Sequence, residues 1–136
     1  MNTPSAEVMC QVGQLWKLET YVYERLQQLS ARCAAALRPE VSHAFTRCLE
    51  LGGLMLQWNL PQPAAETRSF TLQSWPAEAR HLGGVAELLV ARYERLAREP
   101  AADATVVQVA RRNGRNAQAL AALLLEDQRA GLRRCA

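Results

Sequence analysis

The sequence predicts an all-α fold, a four-helix bundle made of two helical hairpins that a long crossover joins. Its dominant residues, alanine, leucine, arginine, glutamate and glutamine, mostly have high helix propensity. Only seven glycines and six prolines occur among 136 residues, which disfavours an all-β or a disordered chain. Four prolines each precede a long proline-free stretch and are followed within three residues by an acid, as in the first turn of a helix; they are Pro4, Pro39, Pro76 and Pro100.

The first half of the chain predicts two helices, at about 4–37 and 39–59, because apolar residues recur there at steps of three and four. In the first helix these residues are Val8, Val12, Leu15, Leu18, Val22, Leu26, Leu29, Cys33 and Ala36. In the second they are Val41, Ala44, Phe45, Cys48, Leu51, Met55 and Trp58. Gly52 and Gly53 weaken the second helix by about 1 kcal/mol each relative to alanine, and a close helix crossing would explain them.

The second half predicts two further helices, at about 76–98 and 100–134. The apolar residues of the third are Leu82, Val85, Leu89, Tyr93 and Leu96, and the face of the fourth carries Val106, Val109, Asn113, Ala117, Leu120, Leu124 and Asp127. Asn113 stands where an apolar residue is expected. Either it is buried and fixes helix register or oligomeric state, or it lies at the edge of the stripe beside Gly114.

The connections set the topology of a single domain that covers residues 1–136. Tight joints at Arg38-Pro39 and Glu99-Pro100 predict two antiparallel hairpins. The linker at 60–75 is long enough to run the length of the bundle, since extended chain spans about 3.3–3.6 Å per residue. A short, long, short order of connections favours one crossover, as in ferritin-like folds, over a simple up-down bundle, in which the long loop would fold back.

Composition excludes several classes of protein. No apolar run approaches the roughly 20 residues of a membrane span, and the N-terminal residues lack the pattern of a signal peptide. The four cysteines, Cys10, Cys33, Cys48 and Cys135, are too scattered for a metal or redox motif, so we expect reduced thiols in a cytoplasmic protein. The excess charge of +3 falls in residues 101–136. Acids interrupt its arginine clusters, which disfavours nucleic-acid binding.

Several segments resemble small bacterial ferritin-like proteins of the stress-induced branch. Leu15-Trp16-Lys17-Leu18-Glu19 is similar to their first helix, in which an aromatic residue precedes an iron-binding glutamate by three positions. The segment 39–50 resembles the opening of their second helix, where the position of Cys48 is commonly histidine. Tyr93 and the segment 124–127 resemble their last two helices. The resemblance covers most of the chain and implies the crossover topology, with Glu19 as a ligand position.

The departures from that pattern predict a degenerate bundle without a complete metal site. A di-iron bundle needs carboxylates from all four helices and two Glu-x-x-His pairs. Glu50 and Glu126 both lack a histidine three positions later, and the third helix places Leu89 rather than Glu87 inside. We therefore expect no cofactor and no metal, with Glu19, Glu50 and Glu126 as remnant ligands in the alternative of a di-iron protein.

The two histidines, His43 and His81, leave one further alternative. A phosphotransfer domain is also a four-helix bundle with an exposed mid-helix histidine, and His43 is the candidate. An ordinary surface histidine near the start of a helix is the simpler interpretation, and the same applies to His81.

The favoured interpretation is a non-enzymatic bundle that acts by self-association, as a homodimer, or by binding a protein partner. The chain carries many aromatic residues but few groups that would serve as ligands. Aromatic residues at the edge of an apolar stripe often anchor interfaces, although they also cap the ends of a core. The interface candidates are Trp16, Tyr23, Trp58, Phe70 and Trp75.

Overall fold

The structure, a computed structural model, describes the backbone of residues 4–32, 35–62, 71 and 73–130, and their side chains apart from residues 32, 35 and 127–130. Four α-helices account for most of it: α1 (Ala6–Arg32), α2 (Arg38–Gln57), α3 (Trp75–Ala97) and α4 (Ala104–Ala130). A 3₁₀ turn, Ala35–Leu37, leads into α2. The predicted all-α fold class is confirmed.

The helix starts follow the proline signals in two cases out of four. Pro39 and Pro76 lie within the first two positions of α2 and α3, where a missing N–H costs nothing. The start of α4 at Pro100 was predicted wrongly, because Pro100 lies in the turn and α4 begins at Ala104. Asp103 decides that start, since its carboxylate accepts the Val106 N–H at 2.9 Å as a helix N-cap.

Side chains at both ends of the bundle give the direction of α3 against α1. Glu7, near the start of α1, contacts Arg95, near the end of α3, at 3.2 Å. Arg25, near the end of α1, contacts Glu78, near the start of α3, at 2.8 Å. These two helices are therefore antiparallel neighbours.

The remaining contacts complete the topology. Besides the two hairpins, α1 packs on α3 and α2 packs on α4, while α1–α4 and α2–α3 make no helix contacts within the described residues. The segment 58–74 therefore joins opposite ends of the bundle, because α2 ends where α1 begins and α3 begins where α1 ends. This is the topology with one crossover, and the simple up-down alternative is wrong.

The end of α2 and its glycines show how the crossover leaves the bundle. Asn59 adopts a left-handed φ of 56°, and the Leu60 N–H returns to the Met55 carbonyl at 2.8 Å, which closes the helix. Gly52 makes room for the crossover, since a Cβ there would lie 2.8 Å from the Gln62 side chain. The close helix crossing is found instead at Gly114, where a Cβ would lie 3.2 Å from Tyr93 Cβ.

One apolar core fills the space between the four helices, and leucine is its most frequent residue. None of the helices in the described ranges is long and apolar enough to cross a membrane.

Candidate functional site

A group of polar side chains lies within the apolar core and reaches its edge at the half-buried Asn116. We call it the polar centre: Glu19, Arg47, Tyr93, Asn113 and Asn116. Glu19 Oε2 accepts hydrogen bonds from Arg47 Nε at 2.7 Å and from the Tyr93 hydroxyl at 2.5 Å. Arg47 Nη1 donates to Asn116 Oδ1. Since Glu19 and Tyr93 are fully buried and Arg47 is 1% exposed, the group links all four helices inside the protein.

The hydrogen bonding of the polar centre is incomplete. Glu19 Oε1, Arg47 Nη2 and Asn113 Nδ2 are buried and have no hydrogen-bond partner among the described residues. Burial raises the pKa of Glu19, although the attraction and hydrogen bonds of Arg47 oppose that rise. Burial and the neighbouring Glu19 raise the pKa of Tyr93 well above its ordinary value. In both cases burial away from water disfavours the charged form of the side chain and so raises its pKa.

The donor set of the polar centre does not fit a di-iron group. Two iron ions need several carboxylates and imidazoles, whereas Glu19 bonds to a guanidinium and a phenol. Of the remnant ligands, only Glu19 lies in the core. Glu50 is half-buried and pairs with Arg112 between α2 and α4, and Glu126 is exposed. No three histidine, cysteine or acidic side chains come together as a metal site within the described ranges.

A second buried ion pair, Arg25–Glu78, lies between α1 and α3. It is bidentate: Arg25 Nε donates to Glu78 Oε2 and Nη2 to Oε1, both at 2.8 Å. The Gln73 N–H also donates to Oε1, at 2.9 Å. Burial works to raise the pKa of Glu78, but the hydrogen bonds from Arg25 and Gln73 bring it below its ordinary value. This pair fixes the start of α3, where the crossover ends.

The remaining reactive side chains are spread over the bundle. His43 is half exposed and lies 3.7 Å from Glu40, in the second turn of α2 rather than in its middle. His81 shares a 2.5 Å hydrogen bond with the Tyr21 hydroxyl. Burial raises the pKa of the Cys48 thiol to about 12, so this thiol stays protonated. Cys10 is exposed, and Cys33 and Cys135 lie outside the described residues.

The interface candidates divide between surface and core. Trp16, Tyr23 and Trp58 are half-buried and pack against the edge of the core. Trp75 is only 3% exposed, so it belongs to the core. This agrees with the alternative that such aromatic residues cap the ends of the core rather than anchor an interface. Phe70 lies outside the described residues.

A line of exposed apolar residues on α2 was not predicted from the sequence, and we call it the α2 stripe: Phe45, Leu49, Gly53 and Leu56. Phe45 was wrongly placed on the core face, because it is 47% exposed and packs on the ring of Tyr23 at 5.6 Å between centroids. Leu49 and Leu56 are 58% and 74% exposed. The signal was present in the steps of four, four and three between these residues, which run parallel to the core-facing stripe.

Arg47 was missed for the opposite reason. It takes the core position between Ala44 and Leu51, at steps of three and four, yet an arginine is expected at the surface. Asn113 is buried, 2% exposed, which resolves the alternative that the sequence left open.

Comparison with known proteins gives the fold and goes no further. No family model matches this chain, and no curated protein matches it. A crystal structure of a protein from Xanthomonas campestris pv. campestris superposes with a TM-score of 0.76 over 91% of this chain and 89% of that one. At 14% sequence identity, the likeness shows that both chains share this helical architecture.

Proposed function

We propose that the protein is a cytoplasmic, non-enzymatic helical scaffold that acts by contacts between its helix faces and other protein chains. The observation that carries this proposal is the α2 stripe, in which Phe45, Leu49 and Leu56 all point outward, 47%, 58% and 74% exposed. Contiguous exposed apolar residues on a folded domain are typical of a protein-binding surface.

The shape of the α2 stripe suits another helix. Gly53 lies among the larger residues, and the space where its Cβ would be is free of any heavy atom within 4 Å. A partner backbone can therefore approach closely at that point. The ring of Phe45, held against Tyr23, provides the kind of rigid aromatic anchor that carries binding energy at interfaces.

The interior supports a binding role rather than a catalytic one. Arg47 neutralises Glu19 within the polar centre, and the protonated Cys48 thiol is a poor nucleophile. Neither group lines the cavities of about 190 and 270 Å³ that lie on the surface of α3 and α4. Glu19 and Arg47 are thus engaged with each other in holding the fold, and the Cys48 thiol stays protonated.

Site-specific photo-cross-linking tests the proposal. A photoreactive residue is placed at Leu49 in the α2 stripe and, as a matched control, at Lys17, which is exposed on the outer side of α1. Irradiation in cells of the source organism should give a discrete protein adduct from position 49 and none from position 17. The purified partner should then bind Leu49→Glu at least tenfold more weakly than the unchanged protein. Equal adducts from both positions, or none, would contradict the proposal.

A further inference from the structure

A shallow groove runs between the outer sides of α3 and α4, well away from the α2 stripe. Two cavities of about 190 and 270 Å³ lie along it, and because both are lined by Val90 and Gln118 they form one continuous groove. Its floor is built of small and apolar side chains: Val90, Ala97, Ala110, Gly114, Ala121 and Leu125. Small residues allow another helix pair to approach closely.

The two rims of this α3–α4 groove carry opposite charge. The α3 rim has Glu87 and Glu94, and the α4 rim has Arg111 and Arg115, all four exposed. None of these four side chains forms a salt bridge with another described residue. The rims therefore present unused charge at the surface.

The close crossing of the two helices sets the height of these charges. Gly114 touches Tyr93 where α3 and α4 meet, so the neighbouring Glu94 stands at the level of the turn that contains Arg111 and Arg115. Each molecule thus has one acidic rim and one basic rim at the same height along the groove.

We propose that the occupant of the α3–α4 groove is a second copy of this chain. A two-fold axis parallel to the groove keeps each residue at its own height and places the α3 of each copy against the α4 of the other. Glu94 of each copy then faces the arginine rim of its partner, and all neighbouring helices are antiparallel, as in a four-helix bundle.

Charge complementarity distinguishes this arrangement from the other symmetric one. A two-fold axis perpendicular to the groove would place α3 against α3 and α4 against α4, so acids would face acids and arginines would face arginines. Like charges across an interface are unfavourable, and opposite ones fix both partner and register. The opposite charges of the two rims therefore favour the two-fold axis that runs parallel to the groove.

The dimer leaves the α2 stripe free. Because α2 and α3 occupy diagonal corners of the bundle, the α2 stripe lies on the side away from the groove. The dimer presents two copies of the stripe on its outer sides, and the inference does not depend on what the stripe binds. The groove is short, about 22 Å along residues 110–125 at 1.5 Å per residue, so we expect a weak, salt-sensitive dimer.

Sedimentation velocity with charge-reversal variants tests the proposal. The unchanged protein should dimerise with concentration over the micromolar to millimolar range at low salt. Glu94→Arg alone, and Arg111→Glu combined with Arg115→Glu, should each remain monomeric, because each gives the two rims charge of the same sign at the level of residue 94. An equimolar mixture of the two variants should restore a dimer, since all facing rims then differ in sign. Lys17→Glu, an exposed reversal elsewhere, should dimerise normally, and circular dichroism checks that every variant is folded.

Three results would overturn the proposal. They are an unchanged protein that stays monomeric over the whole range, rim variants that dimerise as well as the unchanged protein, and a mixture that fails to associate although both variants are folded. Leu49→Glu separates this proposal from the function assigned to the α2 stripe. If it abolishes the dimer and the rim variants do not, the groove is not the interface and the stripe is.

Discussion

The two buried ion pairs of this protein contain the same kinds of groups but differ in how completely they are hydrogen-bonded. In the Arg25–Glu78 pair, both carboxylate oxygens are bonded, and the arginine side chain keeps 12% of its surface in contact with solvent. In the Glu19–Arg47 pair, one carboxylate oxygen and one guanidinium nitrogen are buried without a partner. The pKa shifts have opposite signs: burial outweighs the bonds from Arg47 and Tyr93 and raises the pKa of Glu19, whereas the bonds from Arg25 and Gln73 outweigh burial and lower the pKa of Glu78.

We infer that the balance between burial and hydrogen bonding, more than proximity of charge, decides what a buried pair contributes to stability. Moving two charges out of water costs several kcal/mol per ion, and their attraction offsets that cost only when the remaining polar atoms are also bonded. The Arg25–Glu78 pair meets this condition and fixes the end of the crossover. The polar centre meets it in part, so we expect it to fix the register of the helices more than to add stability.

Removing one partner of the Glu19–Arg47 pair should cause the largest loss in the free energy of unfolding. Arg47→Leu leaves the Glu19 carboxylate buried with no counterion, which costs about 3–5 kcal/mol in such pairs. Urea denaturation at neutral pH, followed by circular dichroism, measures the loss in the free energy of unfolding.

The double variant Glu19→Leu with Arg47→Leu serves as the control for that measurement. Because it removes both charges together, it should recover most of the lost stability, as replacement of a whole buried pair by apolar residues often does. A double variant that is less stable than Arg47→Leu alone would show that the polar centre is a net source of stability, contrary to our interpretation.

The contributions of the two ion pairs to stability should change in opposite directions with pH. The lowered pKa of Glu78 means that its contribution is present above the ordinary value of 4.5 and is lost as the pH falls through the folded-state pKa. The raised pKa of Glu19 means the reverse: its contribution is complete below 4.5 and is lost as the pH rises through the folded-state pKa.

Two isosteric variants allow the pH dependence of each contribution to be measured. Glu78→Gln should be less stable than the unchanged protein at neutral pH, by about 1.5–3 kcal/mol for a hydrogen-bonded charged group, and the difference should shrink in acid. For Glu19→Gln, the advantage of the unchanged protein should instead grow as the pH falls toward 4.5. Urea denaturation at a series of pH values measures both differences, and slopes of the same sign would refute the contrast between the pairs.

The contrast also marks how far the sequence predicts the structure. The helix-forming residues and their spacing predict the four helices, and the lengths of the connections predict the crossover, because both depend on local chain geometry. Glu19 was singled out in the sequence as a remnant metal ligand, not as a member of an ion pair. Its partner was not recognised, because a buried arginine depends on a carboxylate 28 positions away that only the fold brings near.

The surfaces show the same limit. Phe45 and Leu49 differ from core residues of α2 only by a rotation about the helix axis, and the sequence does not say which apolar face turns inward. The α3–α4 groove and its opposed rims arise from two helices together, so neither helix predicts them alone. Asp103 was recognised as an acid of the first turn, but its role as the cap that delays α4 needed the geometry.

The smallest effect is expected at an exposed ion pair in the same interface as the Arg25–Glu78 pair. Glu7 and Arg95 lie 3.2 Å apart between α1 and α3, and their side chains are 50% and 69% exposed. Water and salt screen such a pair, and ordering two long side chains opposes it, so exposed pairs contribute about 0–1 kcal/mol. Glu7→Gln should therefore change the urea midpoint very little, and 1 M salt should remove what difference there is. If this variant lost as much stability as Glu78→Gln, burial away from water would not be what separates strong from weak ion pairs in this bundle.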